Sequence, residues 1–311
     1  MKKEEFYFDS RDNESKIHAV KWIPDEKPVC ILQIVHGMAE YVERYEEFAE
    51  FLVQHNILVV GEDHLGHGGS IDNNPTGYFC RRDPATVVVR DVHRLKKLTQ
   101  EEYPGIPYFI MGHSMGSLIT RNYISRYGSG INGAIISATA MTPKALLIFS
   151  GAIMRILAFF QGTKHPSKFL DKLGFGSYLK QIDNPVSSFD WISKDEKEVE
   201  KYNASPLCGF LFTINGFFTL RELNLRLYAK DCLTNIPDAL PISFVYGSED
   251  PVGEYGAAVK RVYDSYLARG MKKVSIKCYE GDRHELLNET DRETVMNDIY
   301  GWLMDRVAEI S

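Results

Sequence analysis

The sequence predicts an α/β fold: a mostly parallel central sheet flanked by helices, with a helical cap inserted after the sixth strand. Three observations predict it. Between Val29 and Ser137, short continuous apolar runs alternate with segments whose apolar residues recur at helical spacing. That alternation builds a parallel sheet covered on both faces. From Met141 to about Leu233 the strand pattern is lost, and helical or irregular stretches rich in Phe, Leu and Ile replace it. From Pro241 onward the alternation resumes. The core is therefore expected at residues 1–140 and 235–311, and the cap at 141–234.

Taken in order, Phe6 to Asp9 and Lys16 to Trp22 flank a polar turn and fit two antiparallel strands. Val29 to Val35 is a nearly continuous apolar run, as in a strand buried on both faces. Glu43 to His55 carries apolar residues at 45, 48, 49, 52 and 53, which is helical spacing. Ile57 to Val60 is the next strand and runs into a glycine-rich loop, Gly61 to Ser70. Pro84 to Glu102 reads as a helix with Asp83 as its N-cap. Strands at Tyr108 to Met111 and Ile131 to Ser137 enclose a helix that starts after Ser114. In the cap, helical or irregular segments are expected at 145–160, 166–173, 194–202 and 207–229. A strand from Pro241 to Tyr246, a helix from Tyr255 to Arg269, a strand from Lys273 to Tyr279 and a helix from Arg292 to Ala308 complete the chain.

Composition narrows the functional classes. The 311 residues are 44% hydrophobic and 25% charged, ordinary for a soluble globular protein. Net charge is −6 with no basic footprint, which gives no support for nucleic-acid binding. The five cysteines, Cys30, Cys80, Cys208, Cys232 and Cys278, are scattered and include no Cys-x-x-Cys pair. They read as buried thiols of a reducing compartment rather than a zinc site or disulfide framework. No apolar signal core follows Met1-Lys2-Lys3-Glu4-Glu5, so a cytoplasmic protein is expected. Ala145 to Phe160 is strongly apolar but contains Arg155 and falls short of the roughly 20 residues a spanning helix needs. It reads as a buried or interface-facing helix.

The chemistry centres on Gly112-His113-Ser114-Met115-Gly116. A serine lifted out of a sheet on a sharp strand-to-helix turn adopts a strained backbone, and bulky neighbours two residues away would clash. The two glycines supply the room, and the helix N-terminus aims its free N–H groups at a developing oxyanion. In an open sheet the ligand site lies outside the carboxyl ends of the strands. Those ends carry His36-Gly37-Met38, Asp63-His64, Ser114, Ser137, Ser248-Glu249-Asp250 and Asp282-Arg283-His284. The chain order Ser, Asp, His is that of the α/β-hydrolase arrangement. A serine hydroxyl needs a base and an orienting group behind the base. Ser114 is the candidate nucleophile and His284 the candidate base. Asp250 is the favoured orienter, with Glu249 as its rival. The oxyanion donors expected are the backbone N–H groups of Met38 and Met115. His113 reads as packing support behind the nucleophile. His64 and His67 lack a known ligand spacing, so neither a metal nor any cofactor is expected.

These residues carry a family resemblance. His36-Gly37-Met38-Ala39-Glu40-Tyr41, Arg44-Tyr45, Asp63-His64-Leu65-Gly66-His67-Gly68-Gly69-Ser70 and Gly112-His113-Ser114-Met115-Gly116 resemble the monoacylglycerol lipase and lysophospholipase group of α/β-hydrolases, often labelled serine aminopeptidase-like. The resemblance extends over nearly the whole chain, including Gly247-Ser248-Glu249-Asp250 and the His284 loop. It implies a triad of Ser114, Asp250 and His284, oxyanion donors at Met38 and Met115, and a helical cap over the site. Two positions depart from the group's usual pattern: Tyr41, where many members have His, and Ser117, where many have Gly.

The function expected is hydrolysis of lipid-like carboxylic esters, monoacylglycerols or lysophospholipids, through an acyl-enzyme. Many cap phenylalanines agree with an apolar ligand: Phe149, Phe159, Phe160, Phe169, Phe175, Phe189, Phe210, Phe212, Phe217 and Phe218. Most are expected to form the cap's own core and a few to line an acyl tunnel. The cap helices also suit a transient rest on a membrane surface. The alternatives are an aminopeptidase or amidase, with Asp195, Glu196, Glu198 and Glu200 as candidate amine holders; a short-chain esterase; and a catalytically silent binding module.

Overall fold

A strand buried on both faces must be apolar on both, and the central strands obey this. The computed structural model describes residues 1–310. Its strands are β1 (Lys2–Asp9), β2 (Lys16–Ile23), β3 (Cys30–Val35), β4 (Ile57–Glu62), β5 (Tyr108–His113), β6 (Gly133–Ser137), β7 (Ile242–Gly247) and β8 (Val274–Tyr279). They form one sheet in the order β1-β2-β4-β3-β5-β6-β7-β8. β1–β2 and β2–β4 pair antiparallel, and every pair from β4 to β8 is parallel. Ile31, Val35, Tyr108, Ile110, Ala134 and Ile136 face one apolar core. Their neighbours Leu32, Ile34, Phe109, Met111 and Ile135 face a second core on the other side. This period-two division explains why β3, β5 and β6 read as continuous apolar runs.

Helices α1 (Glu46–Gln54), α2 (Pro84–Glu102) and α3 (Met115–Tyr127) lie between the first six strands. Between β6 and β7 come α4 (Lys144–Gln161), α5 (Lys168–Phe175), α6 (Glu196–Ala204), α7 (Ile214–Arg226) and α8 (Lys230–Thr234). The chain closes with α9 (Ala257–Ala268) and α10 (Arg292–Ala308). Because β3 and β5 to β8 are parallel, the segments following β3, β5, β7 and β8 emerge at the same end of the sheet.

Several sequence expectations need correction. Asp83 occupies the N-cap position of α2 but takes a left-handed conformation and makes no side-chain cap bond. Its carboxylate instead accepts a hydrogen bond from Arg226 at 2.6 Å. The segment 207–229, expected as helical or irregular, divides into an irregular stretch before Ile214 and a helix from there. Gly209 adopts φ +63°, and the Thr213 hydroxyl accepts the Gly216 N–H at 3.1 Å, starting the helix there. Cys278 is exposed, unlike the other four cysteines. Of the two readings of the apolar helix α4, buried or interface-facing, burial does not hold: Leu147, Gly151 and Met154 are buried, but Leu146, Ile148, Phe149, Ile156, Phe159 and Phe160 are exposed.

The turn between β5 and α3 is the tightest point of the fold. Ser114 has φ 54° and ψ −119°. A Cβ on Gly116 would lie 1.9 Å from the Val35 carbonyl oxygen, and one on Gly112 would lie 2.3 Å from that of Gly116. Backbone therefore passes where any side chain would stand. Gly116→Ala is expected to cost about 3 kcal/mol, the upper end of the usual range for overpacking that forces backbone shifts. Urea denaturation measures it, and an unchanged midpoint would contradict the steric reading.

Candidate active site

The elbow presents Ser114 half-buried at the start of α3. Its N–H donates to the Ser137 carbonyl at 3.0 Å, tying the nucleophile candidate to β6. The Ser117 hydroxyl donates to the Ser114 carbonyl at 2.5 Å and accepts from the Thr139 hydroxyl at 2.8 Å. A serine at this departure from the family pattern thus adds a brace beneath the turn.

His284 and Asp250 meet across the site. Nδ1 of His284 lies 3.0 Å from Asp250 Oδ1, and both side chains are essentially inaccessible. Asp250 Oδ1 also accepts the Val252 N–H at 2.9 Å, which fixes the carboxylate on its loop. The rival Glu249 points away and pairs with Lys194 at 2.9 Å. Burial alone would lower the basicity of His284, but the Asp250 charge and hydrogen bond outweigh it and leave its pKa raised. Behind it stands His113, ring centroids 4.8 Å apart. Burial, with a smaller push from His284, lowers the pKa of His113 to about 3, so it packs as a neutral ring.

The loop after β3 supplies the other wall. A Cβ on Gly37 would meet Glu40 Oε1 at 2.6 Å and Ser114 Cβ at 3.1 Å, so a side chain here would crowd both the carboxylate and the nucleophile candidate. Among the described residues, the amides of Met38 and Met115 have no hydrogen-bond acceptor of their own. The loop is held from beneath by three buried imidazoles. His64 N–H donates to His36 Nε2 at 3.0 Å, which leaves the proton on His36 Nδ1 to reach the Gly37 carbonyl at 2.8 Å. His67 packs 5.3 Å from His36. Asp63 accepts the N–H groups of Val42 and Gly69, each at 2.8 Å, and faces His18 Nδ1 at 2.8 Å. The glycine-rich loop is therefore a framework element, and no three His, Cys, Asp or Glu among the described residues are grouped to hold a metal.

One charged network was not singled out from the sequence. Arg44 Nη1 donates to Glu40 at 2.8 Å and to Glu285 at 2.7 Å, and Nη2 donates to Glu285 at 2.6 Å. Glu40 also accepts the Gly37 N–H and the Tyr45 hydroxyl. Burial favours the neutral form of Glu285, but Arg44 overrides it and holds its pKa at about 2. Burial and then the Glu285 charge raise the pKa of Glu40, despite Arg44. The usable signals were the i,i+4 spacing of Glu40 and Arg44 and the position of Glu285 directly after His284.

Ser114, His284, Met38 and Met115 line one cavity of about 940 Å³. Its walls are mainly apolar and include Leu118, Met154, Phe175, Phe189, Phe210 and Phe217. Of the cap phenylalanines, Phe212 is fully buried, whereas Phe149, Phe159, Phe160 and Phe169 are exposed rather than part of a cap core. Asp195, Glu196, Glu198 and Glu200 do not line the cavity. Asp195 and Glu198 instead pair with Arg292.

Residues 26–291 match the family model for serine aminopeptidase, S33. The chain is 29% identical over 291 residues to the monoglyceride lipase of Homo sapiens, covering 92% of this chain and 86% of that one. It is 25% identical over 291 residues to the monoacylglycerol lipase of Mycolicibacterium smegmatis, with 92% of each covered. Among solved structures, a thermostable carboxyl esterase from Bacillus coagulans in complex with glycerol superposes with a TM-score of 0.90 at 28% identity, covering 99% of both chains.

The buried imidazoles give a pH signature. Burial lowers the pKa of His67 to about 4. Between that value and the unfolded value of about 6.5, the unfolded state binds more protons, so this contribution to stability falls as pH falls through that window. Buried Glu62, with a pKa raised to about 8, acts in the opposite sense. The wild-type slope is thus a sum, and a variant comparison isolates the histidine. His67→Gln is expected to flatten the pH 5–6 stability slope by roughly 1 kcal/mol per pH unit. Urea unfolding at three pH values measures it, and parallel slopes would contradict it.

Proposed function

This chain belongs to the serine aminopeptidase S33 family, and on that footing we propose that it hydrolyses lipid-like acyl esters through a triad of Ser114, His284 and Asp250. It is a monoglyceride lipase-like α/β-hydrolase and a carboxylic ester hydrolase. The observation that carries the triad is the buried 3.0 Å contact between His284 and Asp250, opening on the same cavity as the strained Ser114.

In this reading, Ser114 Oγ attacks the ester carbonyl and His284 Nε2 takes its proton. Asp250 keeps the other imidazole proton on Nδ1 and stabilises the imidazolium. The Met38 and Met115 amides receive the negative charge that develops on the carbonyl oxygen. His284 returns the proton to the leaving alcohol, and a water activated by the same base then cleaves the acyl-enzyme. A monoacylglycerol or lysophospholipid suits a large apolar cavity next to such a nucleophile. The human and mycobacterial relatives, named as monoglyceride and monoacylglycerol lipases, support the monoacylglycerol end of that class. The amidase alternative loses its proposed amine holders, which lie outside the cavity.

Residues 141–234 act in this reading as a lid over the cavity. Leu147, Ser150 and Met154 turn one face of α4 to the cavity, while Phe149, Ile156, Phe159 and Phe160 face outward. Residues 144–183 carry six Lys or Arg against two Asp, in a chain whose net charge is −6. An apolar face within a basic segment fits the surface of an anionic bilayer, where such substrates reside.

Ser114→Ala is expected to lower ester turnover by at least roughly a thousandfold while the fold survives. Rates on monoacylglycerols, lysophospholipids, p-nitrophenyl esters and aminoacyl-naphthylamides, with circular dichroism, test both the nucleophile and the substrate class. Retained esterase activity, or preference for the amides, would overturn the reading. Replacing both Phe159 and Phe160 with Ser is expected to weaken sedimentation with phosphatidylserine-containing vesicles severalfold and to leave hydrolysis of soluble esters unchanged. Equal sedimentation would remove the membrane face.

A further inference from the structure

Trp191 lies in the cap segment before α6, yet its ring faces the candidate base. The indole centroid is 5.1 Å from that of the His284 imidazole, with the planes 48° apart. Tyr178 backs the indole, ring centroids 5.0 Å apart. The indole is not loosely placed. Glu285 N–H donates to the Ile192 carbonyl at 2.7 Å. Arg283 Nη1 donates to the carbonyls of Asp190 at 2.6 Å and Ser193 at 3.1 Å. The Ser193 hydroxyl donates to the Asn288 carbonyl at 2.8 Å. Buried Glu289 accepts the N–H groups of Arg283 at 2.7 Å and Lys194 at 3.0 Å. Segment 190–194 and the His284 loop are therefore stitched together on both sides of the indole.

We propose that Trp191 is a positioning residue for His284: its ring keeps the imidazole aimed at Ser114 and stabilises the imidazolium formed when the Ser114 proton moves to Nε2. The proposal rests on the triad reading above. No atom is transferred to or from Trp191; the proton passes from Ser114 Oγ to His284 Nε2 and later to the leaving alcohol. A cation near the face of a tryptophan is attracted by the ring quadrupole, and tryptophan is the strongest side chain for this. The other groups around His284 are accounted for. Asp250 faces it from the loop after β7, Glu285 from its own loop and Glu40 from the loop after β3. Arg44 is bound to both glutamates. His113, at the end of β5, stays neutral. Three carboxylates thus act at longer or shorter range, and Trp191 with His113 forms the ring contacts of the imidazole.

The test uses the full chain with Trp191→Leu, which keeps apolar bulk, and Trp191→Phe, which keeps a weaker π face. The substrate is p-nitrophenyl acetate, too small to depend on the cavity's acyl contacts. Trp191→Leu is expected to lower kcat roughly three- to thirtyfold with KM nearly unchanged. Without the ring, the charged base loses stabilisation, its pKa falls, and the acid limb of kcat/KM moves to lower pH by roughly half a unit. Trp191→Phe is expected to fall between the two in both readouts. If the Leu variant does not fold, the Phe variant alone must show the smaller change in the same direction. A rise in KM with kcat kept, or a kcat loss with an unmoved acid limb, would overturn the proposal and leave Trp191 as a wall of the cavity. Ser114→Ala separates the two claims: activity there refutes the triad, whereas an inactive Ser114→Ala beside a wild-type Trp191→Leu refutes this proposal alone.

Discussion

The backbone of Ser114 is held at a positive φ that a residue with a Cβ adopts only under constraint. Such a conformation costs about 1–3 kcal/mol and persists only where its surroundings over-determine it. Here they do. The Val35 carbonyl occupies the space a Gly116 side chain would need, the Gly116 carbonyl occupies that of Gly112, and Gly37 approaches the serine from the loop after β3. The Ser137 carbonyl and the Ser117 hydroxyl then clamp the two ends of the peptide. Strand β3, strand β6 and helix α3 can meet only with this turn between them. The placement of the amides around Ser114 follows from the same crowding.

A second constraint is electrostatic. Arg44 is nearly inaccessible and shared by two equally buried carboxylates. Removing one partner of such a set costs about 3–5 kcal/mol, because the charge left behind is uncompensated. Glu40 reaches the Gly37 amide on one side of the cavity, and Glu285 is covalently next to His284 on the other. The guanidinium therefore ties the expected oxyanion loop to the histidine loop without touching either reacting group. The cap divides along the same line. Its segment near residues 190–194 is hydrogen-bonded to the histidine loop, whereas α4 packs chiefly on α7 and exposes most of its apolar surface.

The central strands were legible because burial on both faces forces a continuous apolar run, as in Ile31 to Val35 and Tyr108 to Met111. The candidate site stands out in the sequence because the proposed chemistry needs particular residue types at strand ends, Ser114 between two glycines, then Asp250, then His284; the structure brings Asp250 within 3.0 Å of His284 and sets Ser114 and His284 on one cavity. What escaped depends on long-range pairing. Asp83 looked like a helix cap, but Arg226 lies 143 positions away and takes its carboxylate. The Arg44 bridge to Glu285 spans 241 positions and leaves no local pattern. Trp191 was not singled out, because ring contacts with His284 have no periodicity. Whether α4 is buried or interface-facing stayed open in the sequence because hydropathy reports composition and not which neighbours are available to cover it.

The most direct measurement of the central claim is covalent trapping at the elbow. The native chain is treated with a fluorophosphonate, digested, and mapped by peptide mass spectrometry, alongside His284→Ala. A single adduct on Ser114, formed far more slowly in the His284 variant, is the expected result. An adduct on another side chain, or equal labelling rates in the two proteins, would contradict the assignment of Ser114 as a nucleophile activated by His284.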